Sequence, residues 1–194
     1  MRIVVSLTSL PGREDLVWRA IESIQCQTYP PDAIYLNLPC DRFPGGRVPF
    51  RFEGVTLCHL PDIGPAMKLL PTLAREKDPH TFIITIDDDV EYPPQMIDKL
   101  VRTAVLFPNS AIGFTGWSVT HFKDKIPEIR HMNQDIAGCR FFQSVQVLEG
   151  TRGVIYRRSF FDKDIQGHAC AHPSFRFHDD ILFSGYLASR DIGR

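Results

Sequence analysis

The sequence predicts an α/β fold: an open, mostly parallel twisted sheet flanked by helices. Three observations predict it. Strand and helix signals alternate through about the first 110 residues as strand, helix, strand, strand, helix, strand, helix, the pattern of an open parallel sheet. Thr81-Phe82-Ile83-Ile84-Thr85-Ile86 is apolar at most positions, as a strand covered on both faces should be. That strand runs directly into Asp87-Asp88-Asp89, and open α/β sheets bind ligands at the carboxyl ends of their strands.

The elements follow in order. Ile3–Leu7 is a β-branched run broken by Thr8-Ser9-Leu10-Pro11-Gly12. From Asp15 to Gln27, Leu16, Val17, Ala20, Ile21 and Ile24 recur at helical spacing, and Pro30-Pro31 ends that helix. Ile34–Leu38 and Val55–Leu60 are strands, separated by the Pro/Gly/Arg-rich loop Cys40–Gly54. Gly64-Pro65 opens a helix over Ala66–Arg75, and Pro71 predicts a kink or two short helices. Pro93-Pro94 suits a first helical turn, followed by the stripe Met96, Ile97, Leu100, Val101, Ala104 and Val105. Beyond it, Ala111–Val119, Ser144–Leu148 and Gly153–Tyr156 read as strands, Lys123–Gly138 as a long polar stretch, and Asp179–Ser189 as a last helix.

With 194 residues the chain suits one domain. A content of 43% hydrophobic and 23% charged residues is that of a soluble globular protein. The formal net charge of −1 excludes a broad basic field for nucleic acid, so a polyanionic ligand needs a local site. Five scattered cysteines, Cys26, Cys40, Cys58, Cys139 and Cys170, read as reduced thiols of a cytoplasmic protein, mostly small core residues. Met1–Leu7 is closed too early by Thr8-Ser9-Leu10-Pro11 to be a signal peptide. No apolar run approaches the ~20 residues that span a bilayer. Asp191-Ile192-Gly193-Arg194 follows an apolar helical segment without a tail, which points to a domain of a longer polypeptide.

Four constellations carry chemistry. Asp87-Asp88-Asp89 sets three acids side by side, which repel unless a cation or hydrogen-bond donors compensate. Hard carboxylate oxygens suit Mg2+ or Mn2+, and Mg2+ usually binds one or two carboxylates plus substrate phosphates. A solvated acidic turn capping the next helix is the plainer alternative, and the largely apolar strand before the acids weighs against it. Asp62-Ile63-Gly64-Pro65-Ala66-Met67-Lys68 offers a helix start and a lysine one turn in, a natural anion site; a generic Gly-Pro turn fits as well. His178-Asp179-Asp180 opens the last helix, where an acid serves as a cap or as a general base toward a hydroxyl. Gly150-Thr151-Arg152-Gly153 is a loop pressed against a ligand or a plain β-turn.

Together with Thr8–Arg13 and Gln27-Thr28-Tyr29-Pro30-Pro31-Asp32, these motifs resemble, in order and over Ile3 to about Ala188, the inverting family-2-like glycosyltransferases of GT-A fold. Within that family the chain is similar to a small glycosyltransferase domain of large algal viruses, for which the cytoplasm would be the host's. The resemblance implies a nucleotide-diphospho-sugar transferase, Rossmann-like in architecture. Residues 1–110 would bind a UDP-sugar donor, and 111–194 a glycan or glycoprotein acceptor. Thr8, Ser9 and Arg13 would border the nucleotide, with Arg13 near phosphate or base. Asp62 would meet the uracil edge, Gly64 would allow close approach, and Lys68 would lie near ribose or diphosphate. The family's Asp-x-Asp motif places Asp89 on Mn2+ or Mg2+, with Asp87 or Asp88 on the nucleotide. The family's acidic pair maps to Asp179 and Asp180. Its first member is usually Glu, so the choice of base between them stays open, with Asp180 favoured. His178 would complete the metal shell. Arg152 and Trp117 would contact the acceptor, Trp117 with Phe122 as a sugar platform, although Trp117 also suits a core.

Three rivals remain. A haloacid-dehalogenase-like Mg2+ phosphatase would carry its acid motif on the first strand. A non-catalytic nucleotide-sugar-binding module would keep the fold and lose turnover. A zinc site from His168, Cys170, His172 and His178 would need the alternating ligands on one strand face.

Overall fold

The computed structural model describes residues 1–43, 51–123, 126–133 and 142–194, with backbone alone at 122, 123, 126, 127, 133 and 176. Positions 44–50 of the expected Pro/Gly/Arg-rich loop, 134–138 of the polar stretch, and Cys139 lie outside the described residues.

Four strands form the parallel heart of the sheet: β1 (Ile3–Thr8), β2 (Ala33–Pro39), β3 (Val55–Leu60) and β4 (Phe82–Thr85). The sheet order is β3-β2-β1-β4-β9-β5, where β9 (Val154–Arg157) runs antiparallel to both β4 and β5 (Ile112–Gly113). The chain therefore moves outward from β1 through β2 to β3, then returns to the other side of β1 as β4. At that reversal the loops after β1 and β4 open into one crevice, which is where open α/β sheets bind ligands.

Side-chain alternation assigns the two faces. Ile3, Val5 and Leu7 of β1, with Phe82 and Ile84 of β4, pack on α1 (Glu14–Gln25) and α3 (Met96–Leu106). Val4 and Ile83 point the other way, toward α2 (Leu70–Arg75) and α5 (Asp179–Ala188). Truncating Ile84, fully buried at the centre, would cost about 2–5 kcal/mol. Ser6 interrupts the second face without penalty, because its hydroxyl pairs with Thr72 Oγ1 at 2.6 Å and accepts from Asn37 Nδ2 at 3.1 Å.

The segment after Gly64 is two short helices, a 3-10 turn over Pro65–Lys68 and then α2, as Pro71 predicts. Four expectations need correction. The segment read as one strand over Ala111–Val119 divides: β5 joins the main sheet, and β6 (Thr115–Lys123) joins a second, antiparallel sheet of order β7-β6-β8. The polar stretch contains a strand, β7 (Ile126–Asn133), whose exposed Glu128, Arg130 and His131 hide the alternation that would reveal it. The strand expected over Ser144–Leu148 shortens to β8 (Val147–Leu148). Asp164–Ala171, not read as an element, is helix α4; it buries only Ile165 and so carries no apolar stripe.

Of the four described cysteines only Cys58 is buried, while Cys26 and Cys170 are exposed. The expectation of mostly core thiols thus holds at one position. Among the described residues no helix is long and apolar enough to cross a membrane.

Candidate functional site

The acidic turn after β4 meets the loop after β1. Arg13 closes a side-on pair with Asp88, Nε at 2.8 Å from Oδ2 and Nη2 at 2.7 Å from Oδ1, and the same Nη2 lies 2.7 Å from Asp89 Oδ2. Ser9 Oγ donates to Asp88 as well. Hydrogen bonding to Asp88 above all, opposed by partial burial, raises the Arg13 pKa, so the guanidinium stays charged. The residue expected at the phosphate or base and one expected at the nucleotide are therefore engaged with each other.

Lysine 68 has a different setting from the one its motif suggests. Gly64 takes a positive φ of 77°, which glycine adopts freely, and Pro65 then starts the turn that carries Lys68 inward. Its buried ammonium lies 2.8 Å from Asp87 and 3.0 Å from Asp179. Burial opposes this charge, yet Asp179, Asp87 and Asp180 outweigh it and raise the pKa. Asp179 Oδ2 is close enough to Lys68 for ionic attraction but is not aligned as a hydrogen bond, and among the described residues it has no hydrogen-bond partner. Lys68, expected beside ribose or diphosphate, thus ties the acidic turn to the start of α5.

Asp180 stands beside this bridge, mostly buried. Its Oδ1 accepts the Gly150 N–H at 3.1 Å. A Cβ on Gly150 would fall 3.0 Å from Lys68 Nζ and 3.3 Å from Asp180 Oδ1. Burial first, and then the Asp179 charge, push the Asp180 carboxyl up to about 7, against the opposing pull of Lys68 and the Gly150 amide.

Asp62 is paired rather than open. Arg42 reaches its Oδ2 at 2.6 Å, and its Oδ1 accepts the Gly64 N–H at 2.8 Å. A cavity of about 410 Å³ unites these groups: every residue expected to meet the nucleotide lines it, and so does Asp89. Asp179 and Asp180 lie behind its Lys68 wall. His178 is the exposed residue before α5 and makes no capping bond. Arg152 is exposed at the end of the 3-10 turn Gly150–Arg152. Trp117 is half-buried on β6 opposite His131 and Val147, and lines no part of the cavity. The Phe122 side chain lies outside the described residues.

Three participants escaped the sequence. Arg42 follows β2, where the strand-end rule could have pointed to it. Phe177 lines the cavity while 72% exposed, two residues before Asp179. Tyr92 is buried, and its hydroxyl accepts the Asp87 N–H at 2.9 Å. Burial, reinforced by the neighbouring carboxylates, raises its pKa and keeps it protonated. A larger cavity of about 710 Å³ beside α3 and β5 has no carboxylate among its described lining residues and offers no comparable chemistry.

One carboxylate of the site is open to a hard cation. Asp89 keeps a side chain 47% exposed, with Arg13 on one oxygen only. Among the described residues no three metal-capable side chains stand together, so a cation at Asp89 would draw its other ligands from a substrate, as Mg2+ commonly does. The zinc alternative does not survive. His168 and Cys170 belong to a helix, α4, with His172 at its end, so they do not share a strand face. His168 packs edge-on against Tyr186, and His172 Nδ1 accepts the Ser174 N–H.

No family model and no curated protein matches the chain. Solved structures do. The chain is similar to 4-diphosphocytidyl-2C-methyl-D-erythritol synthase, with a TM-score of 0.60 and 8% identity over 99% of this chain and 87% of that one. It is also similar to S. aureus TarS, with a TM-score of 0.55 and 12% identity over 96% of this chain and 33% of that one. The S. aureus TarS 1-349 structure in complex with UDP-GlcNAc aligns with a TM-score of 0.52 and 12% identity, over 82% of this chain and 46% of that one. The chain thus spans between a third and a half of the TarS chains. At such identities the likeness shows the fold alone: a mixed α/β fold of GT-A type, with a mostly parallel central sheet flanked by helices.

Proposed function

We propose that this chain is a metal-dependent inverting glycosyltransferase domain that moves a sugar from a UDP-sugar to a hydroxyl of a glycan or glycoprotein. The observation that carries the proposal is the Lys68 bridge, which joins the acidic turn after β4 to a carboxylate pair whose second member is poised near neutrality. A general base works best with a pKa near the operating pH. Asp180 meets that condition, which supports it over Asp179 as the base. It takes the proton of the acceptor hydroxyl while the acceptor oxygen bonds to the anomeric carbon. The bond from that carbon to the diphosphate breaks, and its electron pair leaves with UDP. The Gly150 amide holds the receiving carboxylate in place. One base without a covalent nucleophile means single displacement, hence inversion.

Charge supports metal dependence. Among the described residues Arg13, Arg42 and Lys68 face Asp62, Asp87, Asp88, Asp89, Asp179 and Asp180, a surplus of acids that disfavours a diphosphate without added positive charge. Asp89 would hold Mn2+ or Mg2+, with His178 as a second candidate ligand, and the bound ion would supply positive charge for the leaving phosphates. In this reading residues 1–110 serve the donor and 111–194 the acceptor, within a longer polypeptide.

The likeness to the diphosphocytidyl-forming synthase raises nucleotidyl transfer as a second reading. A phosphate nucleophile is already anionic and needs no proton acceptor, and paired acids would repel it. The carboxylate pair therefore favours a hydroxyl acceptor. The phosphatase alternative needs a free attacking carboxylate, whereas Asp87 is held by Lys68 and Asp88 by Arg13.

A thermal-shift panel of UDP, CTP, UDP-glucose and UDP-GlcNAc with and without Mn2+, followed by assays of UDP and pyrophosphate release, tests the proposal. The expected result is metal-dependent stabilisation by UDP-sugars and slow UDP release. Turnover of CTP to pyrophosphate, with UDP-sugars inert, would replace glycosyl transfer by nucleotidyl transfer.

A further inference from the structure

We infer that the Tyr92 hydroxyl is a positioning group that locks the acidic turn after β4 to the loop holding the base, so that Asp87 and Asp180 keep one frame during transfer. The inference rests on the glycosyltransferase reading for its kinetic consequence, and on geometry for its structural part.

The phenol is placed rigidly. Its ring is 3% exposed, in the layer shared with α1 and α3, and its backbone amide donates to Ser23 Oγ at 3.0 Å. The hydroxyl accepts the Asp87 N–H at 2.9 Å, which leaves its own proton for an acceptor. The Thr151 carbonyl lies 3.2 Å away, closer than the Asp87 carbonyl at 3.4 Å. One oxygen atom thus joins the acidic turn, five residues before Tyr92, to a loop 59 residues after it.

Both groups it touches belong to the site's backbone. Asp87 is the acid that meets Lys68. Thr151 follows Gly150, whose amide fixes Asp180. A hydroxyl that sets the spacing of these two segments sets the spacing of donor-side and acceptor-side carboxylates. Misplacement by about 1 Å can cost on the order of 10²-fold in rate.

Tyr92→Phe keeps the ring and deletes both bonds. Tyr186→Phe is a matched control, because the Tyr186 hydroxyl likewise donates one hydrogen bond, to the Asp162 carboxylate at 2.6 Å, and accepts one backbone N–H, that of Asp162 at 3.3 Å, away from the acidic turn. Three readouts are compared with the parent: UDP affinity by calorimetry in Mn2+, turnover of UDP-glucose and UDP-GlcNAc, and site-resolved amide exchange. Tyr92→Phe should keep UDP affinity within about threefold and lose roughly 10–100-fold in turnover. Exchange should accelerate at Asp87 and through Gly150–Gly153 but not in β2. Tyr186→Phe should retain turnover within about twofold even where its melting temperature falls as far. Equal turnover loss in the two variants, or exchange accelerated evenly across the sheet, overturns the positioning role. A parent inert toward UDP-sugars in Mn2+ overturns the transferase reading instead, and the exchange comparison then decides the clamp by itself.

Discussion

Lys68 and Asp179 approach to 3.0 Å across the site, one from the turn before α2 and the other from the first residue of α5. Because both are buried, removing the cation strands charge rather than merely deleting a contact. Lys68→Met should destabilise the protein by about 3–5 kcal/mol, at roughly 2–4 °C of melting temperature per kcal/mol for a chain of this size. Asp179→Asn in the same background should restore much of that loss. A double-mutant cycle in urea checks this, and strictly additive effects would show that the pair is not coupled.

In the proposed mechanism Asp180 governs the pH dependence. Its carboxyl titrates near 7 rather than at 3.8, so the basic form grows as pH rises. With saturating donor and Mn2+, turnover should climb with unit slope below about 7 and level off above it. Asp180→Asn should lose that limb and about 10²–10⁴-fold in rate. Stability runs the opposite way. The folded state holds the Asp180 proton more tightly than the unfolded chain, so this stabilisation is complete below about 3.8 and lost as pH passes 7. Asp180→Asn should therefore melt higher than the parent at pH 8, with the difference shrinking at pH 5. A parent profile flat from pH 5.5 to 8.5 would remove Asp180 as the base.

Metal removal should act through donor affinity. Chelation, or Asp89→Ala with Mn2+ present, should weaken UDP binding at least tenfold, because the acid-rich site then faces the diphosphate without counter-charge. Calorimetry gives the affinities, and equal values with and without Mn2+ would end the metal assignment.

Gly150 tests the crowding around the base. Its backbone does not need a positive φ, so alanine there strains nothing locally. The added Cβ instead presses on Lys68 Nζ and Asp180 Oδ1. Gly150→Ala should lose roughly 10–100-fold in turnover while keeping UDP affinity and near-parental melting. Parental turnover would mean that the two side chains move aside freely.

The frame of the molecule was legible along the chain for physical reasons. Phe82–Thr85 must be apolar on both sides because helices cover both faces, and the acids follow it because a strand's end opens into the crevice. Pro71 and Gly64 dictate where the second helix breaks and begins. The segments of β7 and α4 were opaque, since among their described side chains too few are buried to impose a period. Charge pairing was decided only by the tertiary structure. Composition shows that Arg13, Lys68 and Arg42 exist beside many acids, but local spacing does not reveal that Arg13 meets Asp88 from 75 residues away. Nor does it reveal that Lys68 faces Asp179. Hydrophobic pattern is a local property of an element, written in its repeat. Electrostatic partnership depends on which strand ends the fold brings to one crevice, and that is set by sheet order.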